Sequence, residues 1–75
     1  ELNPVVARAI EIAGGQTRLA EALGVGQGLV WQWLNNRRPT AAKHGLRIEE
    51  ITTGKVTRYD WCPKVFGPPP EEEAA

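Results

Sequence analysis

Hydrophobic and polar positions in residues 16–35 fall into two helical blocks separated by a glycine turn. In the first block, Leu19, Ala20 and Leu23 share one side, as expected of a helix with a single buried face. In the second, a rotation of about 100° per residue sets Trp31, Asn35, Gly28 and Gln32 at about 40° to 140° from Gln27. Leu29, Trp33, Val30 and Leu34 fall at about 200° to 340° on the same wheel. One face of this helix is therefore apolar, and the other is small, amide-bearing or aromatic without a charge. Between the blocks, Leu23-Gly24-Val25 predicts a glycine in positive φ, after which Val25 folds back onto the core. Ala20, one turn earlier, is where the two helices cross most closely, and Leu19, Leu23, Val30 and Trp33 are expected to close their core. The pattern is a helix-turn-helix, with the second helix available for reading DNA. A ligand-free helical hairpin uses the same core and turn, and only the uncharged amide face and the basic flanks argue against it.

The remaining pattern is also helical. Asn3 as N-cap and Pro4 at the first helical position predict a first helix that stops at Gly14-Gly15 and has Val6, Ala9, Ile10 and Ala13 on its inner side. Helices are expected over about 16–23 and 27–35, with Asn36 supplying a positive-φ cap and Arg37-Arg38-Pro39 a loop. A fourth helix is expected from near Thr40 to Gly54, with Ala41, His44, Gly45, Ile48, Ile51 and Thr52 on one side and Leu46 outside that stripe. The segment from Lys55 onward is ambiguous between strand and helix. Thr57 followed by Asp60 suggests a capping box, and the lack of a partner strand favours a helical or irregular turn. The expectation is an all-α, compact four- to five-helix domain over residues 1–66, with a disordered Pro/Glu tail over 67–75.

Composition changes this picture in one respect. The 75-residue chain has a formal net charge of zero, which by itself disfavours nucleic acid. Between residues 15 and 67, however, eight basic residues face four acidic ones, while Glu71, Glu72 and Glu73 lie behind Pro68-Pro69-Pro70. A positive body with an acidic tail is compatible with DNA binding, the tail moderating non-specific affinity. The single cysteine, Cys62, excludes an intrachain disulfide and, with no long apolar run or signal-peptide pattern, leads to the expectation of a cytoplasmic protein.

Candidate contacts follow from chemistry and position. Gln27 and Gln32 suit base reading because a terminal amide pairs bidentately with adenine, and Asn35 shares their face. Gly28, with no side chain, is expected either to let the helix lie deep in the groove or to be mere sequence drift. Trp31 is placed to touch a thymine methyl or a sugar, with shielding of its neighbours or contact with a partner subunit as alternatives. Gln16 and Thr17, at a helix N-terminus, are expected to meet a phosphate, and Arg18 joins them. Arg37, Arg38 and Lys43 are expected to clamp a phosphate strand. Trp33 belongs to the core, and His44 is a structural residue rather than a ligand. Tyr59, Trp61, Val65 and Phe66 either form a dimer contact or fold back onto the first and fourth helices.

These stretches resemble the Cro repressors of temperate phages, in particular the prophage-encoded Cro/YdaS-like group. The resemblance rests on Gly15-Gln16-Thr17, on Leu23-Gly24-Val25-x-Gln27, and on Gln32-Trp33-Leu34-Asn35-x-Arg37-Arg38-Pro39. It continues through Leu46-Arg47-Ile48-Glu49, through Thr53-Gly54-x-Val56-Thr57-Arg58-Tyr59-Asp60 and through Pro63-Lys64-Val65-Phe66-Gly67. It implies a Cro/lambda-repressor-like helix-turn-helix repressor that binds a pseudo-palindromic operator in double-stranded DNA, usually as a homodimer. Gly26 and Trp31 stand where the family often has serine and a small polar residue, so the operator sequence does not transfer.

No enzyme is expected, because the sequence offers no nucleophile-base-orienter set, and its one histidine and one cysteine cannot by themselves make a metal site. Nor is a cofactor, membrane or small-molecule substrate expected. The rival is an antitoxin-like or other protein-partner-binding helical module, which would not require Arg37, Arg38 and Lys43 around the polar face.

Overall fold

Asn3 begins the first helix, α1 (Pro4–Ala13), by accepting the Val5 and Val6 N–H groups at 3.0 and 3.2 Å on its side-chain oxygen. Two of the donors that a helix start leaves without an intrahelical partner are thereby satisfied. The computed structural model describes residues 1–68, so residues 69–75, most of the expected disordered tail, lie outside the described residues. After α1 come α2 (Gln16–Leu23) and α3 (Gln27–Leu34), joined at Gly24 with φ 70°. The Val25 N–H returns to the Ala20 carbonyl at 2.9 Å, which closes the turn and packs the valine against the core.

Three faces meet in one apolar interior. Val6 and Ala9 of α1, Leu19, Ala20 and Leu23 of α2, and Val30 and Trp33 of α3 are buried together with Ile48, Val56 and Trp61. Trp33 lies at the middle. Its ring meets Trp61 edge-on at 5.3 Å between centroids and His44 at a tilt at 5.5 Å, an arrangement in which ring edges face π-clouds.

The fourth helix departs from the sequence expectation. Residues 40 and 41 are not helical. A 3₁₀ turn occupies Ala42–His44, and α4 runs only from Gly45 to Ile51. Trp61 accounts for the late start, because its indole N–H donates to the Ala41 carbonyl at 3.0 Å while the Thr40 hydroxyl donates to the Trp61 carbonyl. Holding Ala41 extended in this way is incompatible with helix there. At the other end, Thr53 and Gly54 both take positive φ, and the Gly54 N–H caps the Glu49 carbonyl. The buried Thr52 hydroxyl donates to the Ile48 carbonyl and accepts from the Val56 N–H, which ties α4 to the loop that follows.

The ambiguous last segment forms two single-turn helices, α5 (Arg58–Trp61) and α6 (Pro63–Phe66), one more element than the four or five expected. The Thr57–Asp60 capping box is present in both directions. No strand occurs among the described residues. A half-buried ion pair joins α5 to α4. Arg58 donates to Glu49 at 3.0 Å from its guanidinium and at 2.8 Å from its backbone N–H. Gly45 permits this approach, since a Cβ there would lie 2.8 Å from that of Arg58.

Candidate nucleic-acid interface

The rotation of α3 is fixed from within. Val30 and Trp33 are fully buried, with Leu29 and Leu34 partly so, which turns Gln27, Gly28 and Trp31 to the surface. Gln32 and Asn35 are half-buried at the edges of the same face. The Gln27 Nε2 donates to Gln16 Oε1 at 2.6 Å, joining the first residues of α2 and α3. Each amide keeps capacity for a ligand: Gln27 retains its carbonyl oxygen and one N–H, and Gln16 retains both N–H groups. Asn35 is disposed differently, because its amide donates back to the Trp31 carbonyl at 2.9 Å and so closes the end of its own helix.

The basic flank begins immediately afterwards. Asn36 takes φ 56°, as a residue closing a helix in the left-handed region, and the Arg37 N–H reaches back to the Gln32 carbonyl at 2.8 Å. Arg37 and Arg38 are exposed, and no ion pair with either occurs among the described residues. Thr17 and Arg18 are exposed on α2, with the Arg18 stem lying across Gly14. The structure does not gather all the basic residues into one hollow. Arg38 lines a groove with Asn36, Pro39 and Leu2, whereas the exposed Lys43 lines a separate one with Leu46 and Arg47.

Sequence reasoning assigned Gln16 to phosphate and Gln27 to a base but missed their mutual contact. The signal was available, since two glutamines open two successive helices. It also missed the tether at the other end of α3. The Asn3 N–H donates to the Leu34 carbonyl at 2.8 Å, and the Asn36 amide donates to the Glu1 carbonyl at 2.8 Å. No local pattern reports a contact between residues so far apart in the chain.

The four C-terminal candidates for a dimer contact separate. Trp61 is 2% exposed and takes the fold-back alternative, which removes it from any surface available to a second copy. Tyr59 and Phe66 are half-buried edge-on to each other at 6.2 Å, and Tyr59 also carries the Arg58 guanidinium over its ring. Val65 alone of the four is largely open, at 64% exposure.

His44 is buried, and its Nε2 has no hydrogen-bond partner among the described residues. Burial, and secondarily the charge of Lys43, hold its pKa below the ordinary 6.5, favouring the neutral ring. No group of three potential metal ligands occurs among the described residues, and no helix among them is long and apolar enough to cross a membrane.

Residues 6–70 match the family described as bacterial toxin YdaS. No curated protein matches the chain. Among solved structures, the chain is similar to the Cro protein from putative prophage element Xfaso 1 in Xylella fastidiosa strain Ann-1. The TM-score is 0.76 and the identity 33%, covering 85% of this chain and 97% of that one.

Proposed function

The chain belongs to the YdaS family and has the fold of a prophage Cro protein, and from that premise we propose that it is a sequence-specific DNA-binding transcriptional repressor. In this reading α3 enters the major groove, and a homodimer in the cytoplasm meets the two halves of a pseudo-palindromic operator. One observation carries it: the outward side of α3 presents uncharged amides, Gln27 being braced on Gln16, next to two arginines that no carboxylate pairs among the described residues. The amides supply base recognition. The exposed Thr17, Arg18, Arg37, Arg38 and Lys43, with Gln16, supply phosphate contacts that fix register.

The test is a fluorescence-anisotropy titration on DNA spanning the protein's own upstream region, with scrambled DNA as control, at two salt concentrations. Selective binding is expected. With four cations per subunit, Arg18, Arg37, Arg38 and Lys43, about eight phosphates are met per dimer, and log affinity should fall against log salt with a slope of about −7. Equal binding to both DNAs would return the reading to a protein-partner module.

The family's description as a toxin supports a second outcome within the same chemistry, in which excess protein arrests growth by occupying DNA. Growth arrest on expression that disappears with Arg38→Ala would tie it to DNA binding. Arrest that survives this change would assign it to another activity.

A further inference from the structure

Trp31 is 45% exposed, the only one of the three tryptophans left open, and it stands in the middle of the outward face of α3. Trp33 and Trp61 are buried, so the exposure of Trp31 does not come from a lack of room for indoles in this fold. Its position is fixed on both sides. Val30 and Trp33 hold the rotation of the helix, and the Trp31 carbonyl accepts both the backbone and the side-chain N–H of Asn35, at 3.0 and 2.9 Å. On its N-terminal side Gly28, one turn earlier, adds no side chain, and the space that a Cβ would take there is empty to 4 Å. A flat apolar surface thus stands beside bare backbone, among amides that carry the hydrogen-bonding chemistry. In the major groove, the apolar feature of a base edge is the methyl group at C5 of a pyrimidine.

We propose that Trp31 is a specificity-determining residue whose indole packs on a pyrimidine 5-methyl group. This inference rests on the DNA-reading proposal above. The methyl belongs either to thymine or to 5-methylcytosine. The two differ in the neighbouring group, an acceptor oxygen in thymine and an amino donor in 5-methylcytosine, whereas the indole offers one N–H donor.

The experiment uses the full chain and a synthetic duplex covering the segment it protects. Each thymine is replaced in turn by uracil, which deletes only the methyl, and each cytosine in turn by 5-methylcytosine. At one position per half-site, uracil should weaken binding about fourfold, the factor corresponding to about 0.8 kcal/mol for burying one methyl group. Alternatively, 5-methylcytosine should strengthen binding by a similar factor, which would identify the other source. In either case Trp31→Ala should abolish the effect and Trp31→Phe should retain it, while circular dichroism shows both variants folded. Selective binding with no methyl-sensitive position would overturn the inference and leave the DNA reading standing, as would a Trp31→Ala protein that keeps the sensitivity. If no duplex is bound selectively, both fall together.

Discussion

At the scale of single residues, the amide pair at the helix starts is the feature with most leverage. Gln27→Ala is expected to lower operator affinity by about 1–3 kcal/mol per half-site, the worth of a bidentate base contact, and to relax base preference. Gln32→Ala should do the same at its own position. Because Gln27 donates to Gln16, the losses from Gln16→Ala and Gln27→Ala should not add, and a double-mutant cycle should return a coupling of at least about 0.5 kcal/mol. Equal losses on operator and scrambled DNA would remove Gln27 from base reading. Gly45 offers a stability test that does not involve DNA. Gly45→Ala drives a methyl to within 2.8 Å of the Arg58 Cβ and 3.4 Å of its Cα, and should destabilise the fold by about 1–3 kcal/mol in urea denaturation. Unchanged stability would mean that α4 and α5 separate without loss. The sequence showed which residues face outward on α3, because side-chain periodicity encodes it. It did not show the Gln16–Gln27 bond or the tether from Asn36 to Glu1, which depend on where separate elements come to lie.

For whole elements, the loop after α3 and the short helices after α4 make different demands. Arg38→Ala should weaken operator and scrambled DNA alike and flatten the salt slope by about two, as expected when a homodimer loses one phosphate contact from each subunit. An unchanged slope would place Arg38 outside the contact. In α5, the capping box carries much of the structure of a helix only four residues long, so Thr57→Ala should cost about 1 kcal/mol in thermal or urea unfolding. Helix starts and stops set by local chemistry were readable in advance: Asn3 and Pro4 at α1, Gly24 at the turn, Asn36 after α3. The start of the fourth helix was not. Residues 40 and 41 are kept out of the helix by hydrogen bonds with Trp61, about twenty residues away, and such a competitor leaves no trace in the local pattern.

Considered as one molecule, the fold is keyed to Trp33, against which Trp61 and His44 both pack, so protonation of that histidine acts on overall stability. Its pKa is lowered in the folded state, so the unfolded chain takes up the proton first as pH falls. Stability should therefore be insensitive to His44 above about pH 6.5 and should decline below it, until the folded form also titrates. Melting temperatures compared at neutral and mildly acidic pH, with His44→Phe as reference, measure this, and an identical profile for both proteins would exclude it. The division of labour along α3 has a consequence on a longer timescale. Its anchoring side chains, Val30 and Trp33, are not those it presents at Gln27, Gly28 and Trp31, so heritable change at the presented positions leaves foldability almost untouched. Lineages descended from one such ancestor are free to diverge at the presented positions without disturbing the buried ones.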